Sequence, residues 1–125
     1  MMHLKEIATI LSCEIYTGDE SINCNIKYGC ASDLMSDVLA FSQSGAVLLT
    51  GLATVQTIQT AYIAEISGII FVRGKKPDSA IVSAAKEKGL ALLSTDYSMF
   101  EACGLLYSRG LRPTMVCEEQ PRKHE

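Results

Sequence analysis

Apolar and polar residues recur along this chain at two periods, and the switches between them mark out its elements. Leu4, Ile7, Ala8 and Leu11 fall at helical spacing and predict a short helix over residues 3–12. Residues 14–17 read as a small strand, followed by a turn at Thr17-Gly18-Asp19-Glu20. Ile26 to Cys30 is strand-like and leads into the small polar loop Ala31-Ser32-Asp33. Leu34, Val38 and Phe41 then line one face of a short predicted helix, closed by Gly45.

One theme now repeats three times. Ala46 to Thr50 is a short apolar run ending at Gly51, and Thr54 to Ser67 places Val55, Ile58, Tyr62 and Ile66 on one helical face, with Thr54 as N-cap and Gly68 as C-cap. Ile69 to Val72 is the second run. It is followed by a helix over Ser79 to Lys88, which turns Ile81, Ala84 and Ala85 inward and ends at Gly89. Leu90 to Leu93 is the third run. Ser98 and Glu101 then match the S-x-x-E capping box opening a helix that buries Met99, Phe100, Cys103, Leu106 and Tyr107.

Apolar strands of four or five residues without alternation belong in a sheet covered on both faces. With helices between them, consecutive strands run parallel through right-handed crossovers. The expected fold is α/β: a small single-domain sandwich with a mainly parallel sheet and helices on both faces. Its expected extent is residues 1–117, with 118–125 as a polar C-terminal tail.

Composition narrows the function. The chain has 125 residues, 48% hydrophobic and 20% charged, which suits one folded domain with one core. Only 6% are aromatic and none is Trp, so that core is aliphatic. A net charge of −3 argues against nucleic acid as a partner, because phosphate-backbone binding draws on clustered Lys and Arg. No apolar run is long enough to cross a bilayer, and Glu6 interrupts the N-terminal apolar residues, so neither a membrane partner nor a signal peptide is expected. The expected compartment is cytoplasmic. The five cysteines, Cys13, Cys24, Cys30, Cys103 and Cys117, are odd in number and never at C-x-x-C spacing. They read as buried or incidental thiols, with no metal and no cofactor expected.

Ligands of open parallel sheets sit beyond the carboxyl ends of the strands. Those ends offer Ser32, Asp33, Ser36 and Asp37; then Thr50 and Gly51; then Arg73, Gly74 and Lys75; then Ser94, Thr95 and Asp96. Arg73 can grip a carboxylate or phosphate through two parallel hydrogen bonds, Lys75 adds a point charge, and the glycines let backbone approach closely. Three readings remain open for Arg73: a ligand contact, an internal ion pair with Asp33 or Asp37, or a solvated turn. Lys76-Pro77-Asp78 also reads as a helix start with Pro at its first position. Asp33 and Asp37 stand four apart, a pair suited to acid–base work or Mg²⁺, although Asp33 is also well placed as an N-cap before Leu34. His3 and His124 sit at the termini, and no serine has a histidine nearby in sequence. Neither the phosphate-loop pattern nor the dinucleotide fingerprint is present.

The strings GCASDLMSDVLAF, LLTGL, FVRGKKPD and LLSTDYSMFEACGLLY, in this order, resemble the DRTGG domain family over roughly residues 3–112. The string that names the family is itself absent. That family is similar to the N-terminal domain of the HPr kinase/phosphorylase and to a regulatory segment of some phosphotransacetylases. The resemblance implies an α/β accessory domain, of unassigned biochemical role, that forms dimers and serves a catalytic or ligand-sensing partner. Carried over by position, its marked residues are Asp33, Ser36, Asp37, Thr50, Gly51, Arg73, Gly74, Lys75, Pro77, Thr95, Met99, Phe100 and Cys103. Some stand-alone members are labelled hydrogenase-associated or iron–sulfur proteins, and the cysteine spacing here gives no support to the second label. The kinase domain of the HPr enzyme is missing, so its reaction is not implied.

Three function classes follow. The first is a non-catalytic regulatory or ligand-binding module, a homodimer sensing a small anionic metabolite or nucleotide through Asp33, Ser36, Asp37, Thr50, Gly51, Arg73, Gly74, Lys75 and Thr95. The second is a protein-interaction accessory subunit of a hydrogenase or electron-transfer complex, using the aromatic end of the last helix. The third is an enzyme acting on a phosphate or acyl-phosphate through Asp33, Asp37 and Lys75.

Overall fold

The structure is a computed structural model and describes residues 2–115; Cys117, His124 and the expected polar tail lie outside the described residues. Its elements are β1 (Met2–His3), α1 (Leu4–Ile10), β2 (Glu14–Thr17), a 3-10 turn (Asp19–Ser21), β3 (Asn25–Ile26), β4 (Tyr28–Ala31), α2 (Met35–Phe41) and β5 (Ala46–Thr50). There follow α3 (Val55–Ile63), β6 (Gly68–Phe71), α4 (Ser79–Lys88), β7 (Ala91–Ser94), α5 (Met99–Ser108) and β8 (Arg112–Pro113). Six strands form the main sheet in the order β2-β7-β6-β5-β4-β8, while β1 and β3 pair separately. Strands β4 to β8 are mutually parallel and β2 closes one edge antiparallel to β7. No helix among the described residues is long and apolar enough to cross a membrane.

The continuous apolar strands are explained by two cores. Val47, Leu49, Ile70 and Leu93 point to the face covered by α1 and α5. Their neighbours Leu48, Ile69, Phe71 and Leu92 point to the face covered by α2, α3 and α4. Alternate side chains of one strand thus enter different cores, so both sets must be apolar. Packing of this kind makes each strand expensive to alter: removing most of one such buried aliphatic side chain costs about 2–5 kcal/mol.

Several local expectations are corrected. Helix α3 buries Thr57, Ile58, Thr60 and Ala61, while Val55 and Tyr62 face solvent. Its C-cap is Ala64, and Gly68 instead begins β6. Gly68 is pressed against Leu4, whose side chain lies 3.2 Å from where a Cβ would stand, so the glycine serves packing rather than capping. In α2 the inward residues are Met35 and Val38, with Leu34 and Phe41 exposed. In α5 they are Ala102 and Leu106, while Phe100 and Tyr107 are 92% and 60% exposed. Pro77 precedes the N-cap of α4, which is Asp78, whose side chain accepts from the Ile81 N–H at 2.9 Å. Gly89 closes that helix with a left-handed φ of 68°, as its sequence position predicts.

Candidate functional site

The order β7-β6-β5-β4 brings four carboxyl ends side by side, so the polar loops that follow them share one rim. Helices α2, α3 and α4 carry the chain from β4 to β7 along one face, and α5 returns along the other. The loops after β6 and β7 therefore leave toward opposite faces, and hydrogen bonds between them bridge the divide. Arg73 stands in the first of these loops.

Backbone chemistry fixes how Arg73 is presented. Val72-Arg73-Gly74-Lys75 closes a tight turn, with the Lys75 N–H donating to the Val72 carbonyl at 3.2 Å. Arg73 and Gly74 have φ values of 60° and 70°, so both central residues are left-handed, as in a type I′ turn. Glycine takes that conformation freely, whereas arginine pays about 1 kcal/mol or more for it. The neighbouring loop holds the turn in place: the Arg73 N–H donates to the Tyr97 carbonyl at 2.8 Å, and the Gly74 N–H to the Thr95 carbonyl at 2.9 Å.

The Arg73 guanidinium reaches back across the rim to Gly51. Its Nη2 lies 2.8 Å from the point where a Cβ on Gly51 would stand, so glycine is required there for the head group to lie against the backbone. The Oδ2 of Asp33 comes within 3.4 Å of the same point. Its other oxygen, Oδ1, accepts from the Thr50 hydroxyl at 2.9 Å and from the Gly51 N–H at 2.6 Å. Thr50 in turn accepts from the Leu52 N–H at 3.1 Å.

Two expectations fall here. Asp33 does not cap α2, whose N-cap is Leu34 without a side-chain cap; Ser32 bonds the Leu34 N–H at 3.0 Å instead, and Asp33 ties β4 to β5. Nor does Arg73 form an internal ion pair with Asp33 or Asp37. Lys76 with Glu14, at 3.0 Å, is the one ion pair among the described residues. The guanidinium and the Asp33 carboxylate face one glycine and stop short of direct contact.

Of the other residues singled out from sequence, Ser36 and Asp37 are exposed in the first turn of α2, and Lys75 is exposed beside the Arg73 turn. Thr95 is buried, with its hydroxyl donating to the Leu11 carbonyl at 2.6 Å. Burial works against the thiolate form of the four described thiols. Burial pushes Cys13 up to about 12, and burial is also the main cause that raises Cys24, Cys30 and Cys103. No group of His, Cys, Asp and Glu able to hold a metal ion occurs among the described residues.

Sequence reasoning missed a second feature. An apolar cavity of about 240 Å³ lies between α5 and the β4 edge, lined by Leu49, Cys103, Leu106, Tyr107 and Leu111 among others. Gly29 and Ala31 line it from β4, and at Gly29 the Leu111 side chain packs 3.0 Å from where a Cβ would stand.

No curated protein matches the chain. Among solved structures it is similar to the CBS and DRTGG domains of the regulatory region of a Clostridium perfringens pyrophosphatase, crystallised with its activator diadenosine tetraphosphate. The TM-score is 0.65 at 18% identity, covering 83% of this chain and 45% of that one, so the chain spans about half of its neighbour and shares its fold. The DRTGG domain model matches residues 6–108. With the match covering most of its length, this chain belongs to the DRTGG domain family.

Proposed function

We propose that this chain is a non-catalytic regulatory module that binds a small anionic metabolite or nucleotide at the carboxyl rim of its sheet. The observation that carries the proposal is Arg73: a guanidinium held on a costly left-handed backbone, laid against Gly51, and in direct ion-pair contact with neither Asp33 nor Asp37. Strain of this kind collects at ligand clamps, where the surrounding structure holds it. The structural neighbour belongs to a regulatory region and was crystallised with a nucleotide activator, which favours the same class of role. In this reading the domain covers residues 1–117, Ser36, Asp37 and Lys75 border the site, and the chain works in the cytoplasm. The enzyme reading is weaker, because Asp33 already spends one oxygen on Thr50 and Gly51 and no histidine stands on the rim among the described residues.

The test is a thermal-shift screen with nucleotides, acyl phosphates and sugar phosphates, with and without Mg²⁺. A ligand present at about 100 times its Kd adds roughly 2.7 kcal/mol of stability. Arg73→Ala is expected to abolish the shift while folding normally. A hit that survives Arg73→Ala removes the rim from the account.

One observation favours an interaction role alongside. Phe100 and Tyr107 stand seven apart on α5, hence on one face, and both are exposed. That face is the candidate surface for a homodimer or a protein partner. Sedimentation is expected to show a dimer that Phe100→Glu dissociates; a monomeric wild type would leave the face to another protein.

A further inference from the structure

We propose that the rim takes a phosphate ester carrying its own hydroxyl donors, of the ribose-phosphate kind, with Arg73 on the phosphate and Asp33 Oδ2 receiving the hydroxyl hydrogen. This rests on the anion-site reading above and names the ligand's second feature. A site built for a bare anion presents donors alone. Here a carboxylate faces the same floor as the guanidinium, and a simple anion would meet it as a like charge.

The geometry gives that carboxylate a purpose. Oδ1 is occupied by the Thr50 hydroxyl and the Gly51 N–H, which fixes the plane of the group and turns Oδ2 toward the space above Gly51. Arg73 Nη2 borders the same space from the other side. Neither head group collapses onto the other, because Asp33 is tied to β5 and the Arg73 backbone is tied to Tyr97. The gap has the Nη2 donor, which itself lies over Gly51, on one wall and the Oδ2 acceptor on the other. A molecule that offers anionic oxygens and a hydroxyl a few bonds apart satisfies both walls at once. Inorganic phosphate satisfies one.

The experiment titrates the full chain and its Asp33→Asn variant with AMP, 2′,3′-dideoxy-AMP and inorganic pyrophosphate, by calorimetry. Asn at 33 retains Oδ1 for Thr50 and Gly51 and exchanges Oδ2 for an NH₂ donor, so the loop stays tied, as an unchanged Tm will show. In the wild type AMP is expected to bind about tenfold or more tighter than the dideoxy analogue, the worth of one hydrogen bond to a charged group. In Asp33→Asn that ratio is expected to fall to about one, while pyrophosphate binds more tightly than to wild type because the opposing charge is gone. Equal wild-type affinity for AMP and dideoxy-AMP, both lost in Arg73→Ala, would overturn the hydroxyl inference and leave the anion site standing. No binding of any of the three would overturn both.

Discussion

Two halves of one rim behave in opposite ways. Over β6 and β7 the Thr95 groups and the loop carbonyls are consumed internally, while the Lys75 and Asp96 side chains stay exposed: the Thr95 hydroxyl goes to Leu11, the Thr95 N–H to Phe71, and the Thr95 and Tyr97 carbonyls to the Arg73 turn. Over β4 and β5 the head groups of Asp33 and Arg73 face one glycine and leave a gap. The two halves are continuous, because the closed one sets the geometry of the open one. Arg73 points where it does only while the loop after β7 holds its backbone left-handed. In the proposed reading, one loop thus gives its backbone to the scaffold and its Arg73 head group to the site.

The sharpest way to break this division is Thr95→Val. It removes a buried donor from the Leu11 carbonyl and an acceptor from the Tyr97 N–H while keeping the side-chain shape. An unpaired buried carbonyl costs about 1–3 kcal/mol, so the urea midpoint is expected to fall accordingly. Anion binding should weaken only as far as the Arg73 turn loosens. If binding is lost while stability is untouched, Thr95 contacts ligand and the closed half is no scaffold.

What was legible in the sequence follows the same line between local and long-range causes. The bounds of β5 follow from its uninterrupted apolar run and the end of α4 from Gly89, whereas the start of α4 is set by Asp78 as N-cap and not by Pro77 at its first position. The faces of α3 and α5 were misread for opposite reasons. Thr57 looks polar yet is buried with its hydroxyl donating to the Leu52 carbonyl at 2.6 Å, and Phe100 looks apolar yet is exposed. Residue type alone misleads where a hydroxyl finds a partner or a ring is left for another surface. At the rim, the sequence lists the strand ends but not how their side chains meet: Thr95 turns inward to Leu11. Asp33 obeys the local rule for an N-cap and breaks it, because Gly51, eighteen positions on, offers a backbone N–H across the sheet. Only the strand order brings that donor within reach, and hydrophobic period carries no information about strand order.

A smaller effect separates cost from use more finely. Arg73→Gly deletes the guanidinium and relieves the left-handed backbone at the same position. A non-glycine residue at positive φ costs about 1 kcal/mol or more, whereas glycine adds about 0.5–1 kcal/mol of chain entropy to the unfolded state. The net expectation is a gain of about 1 kcal/mol or less, seen as a small rise in Tm, together with loss of the anion-dependent shift. The turn is already closed by backbone hydrogen bonds from residues 73, 74 and 75, none of which needs the side chain. Arginine at 73 would then cost the fold stability without returning any, as the binding reading requires; left-handed backbone alone is no such mark, since Ser12 and Glu65 share it. A fall in Tm would reverse the argument. It would mean that the guanidinium stabilises the folded chain through Asp33, and that the open half of the rim is held shut as firmly as the other.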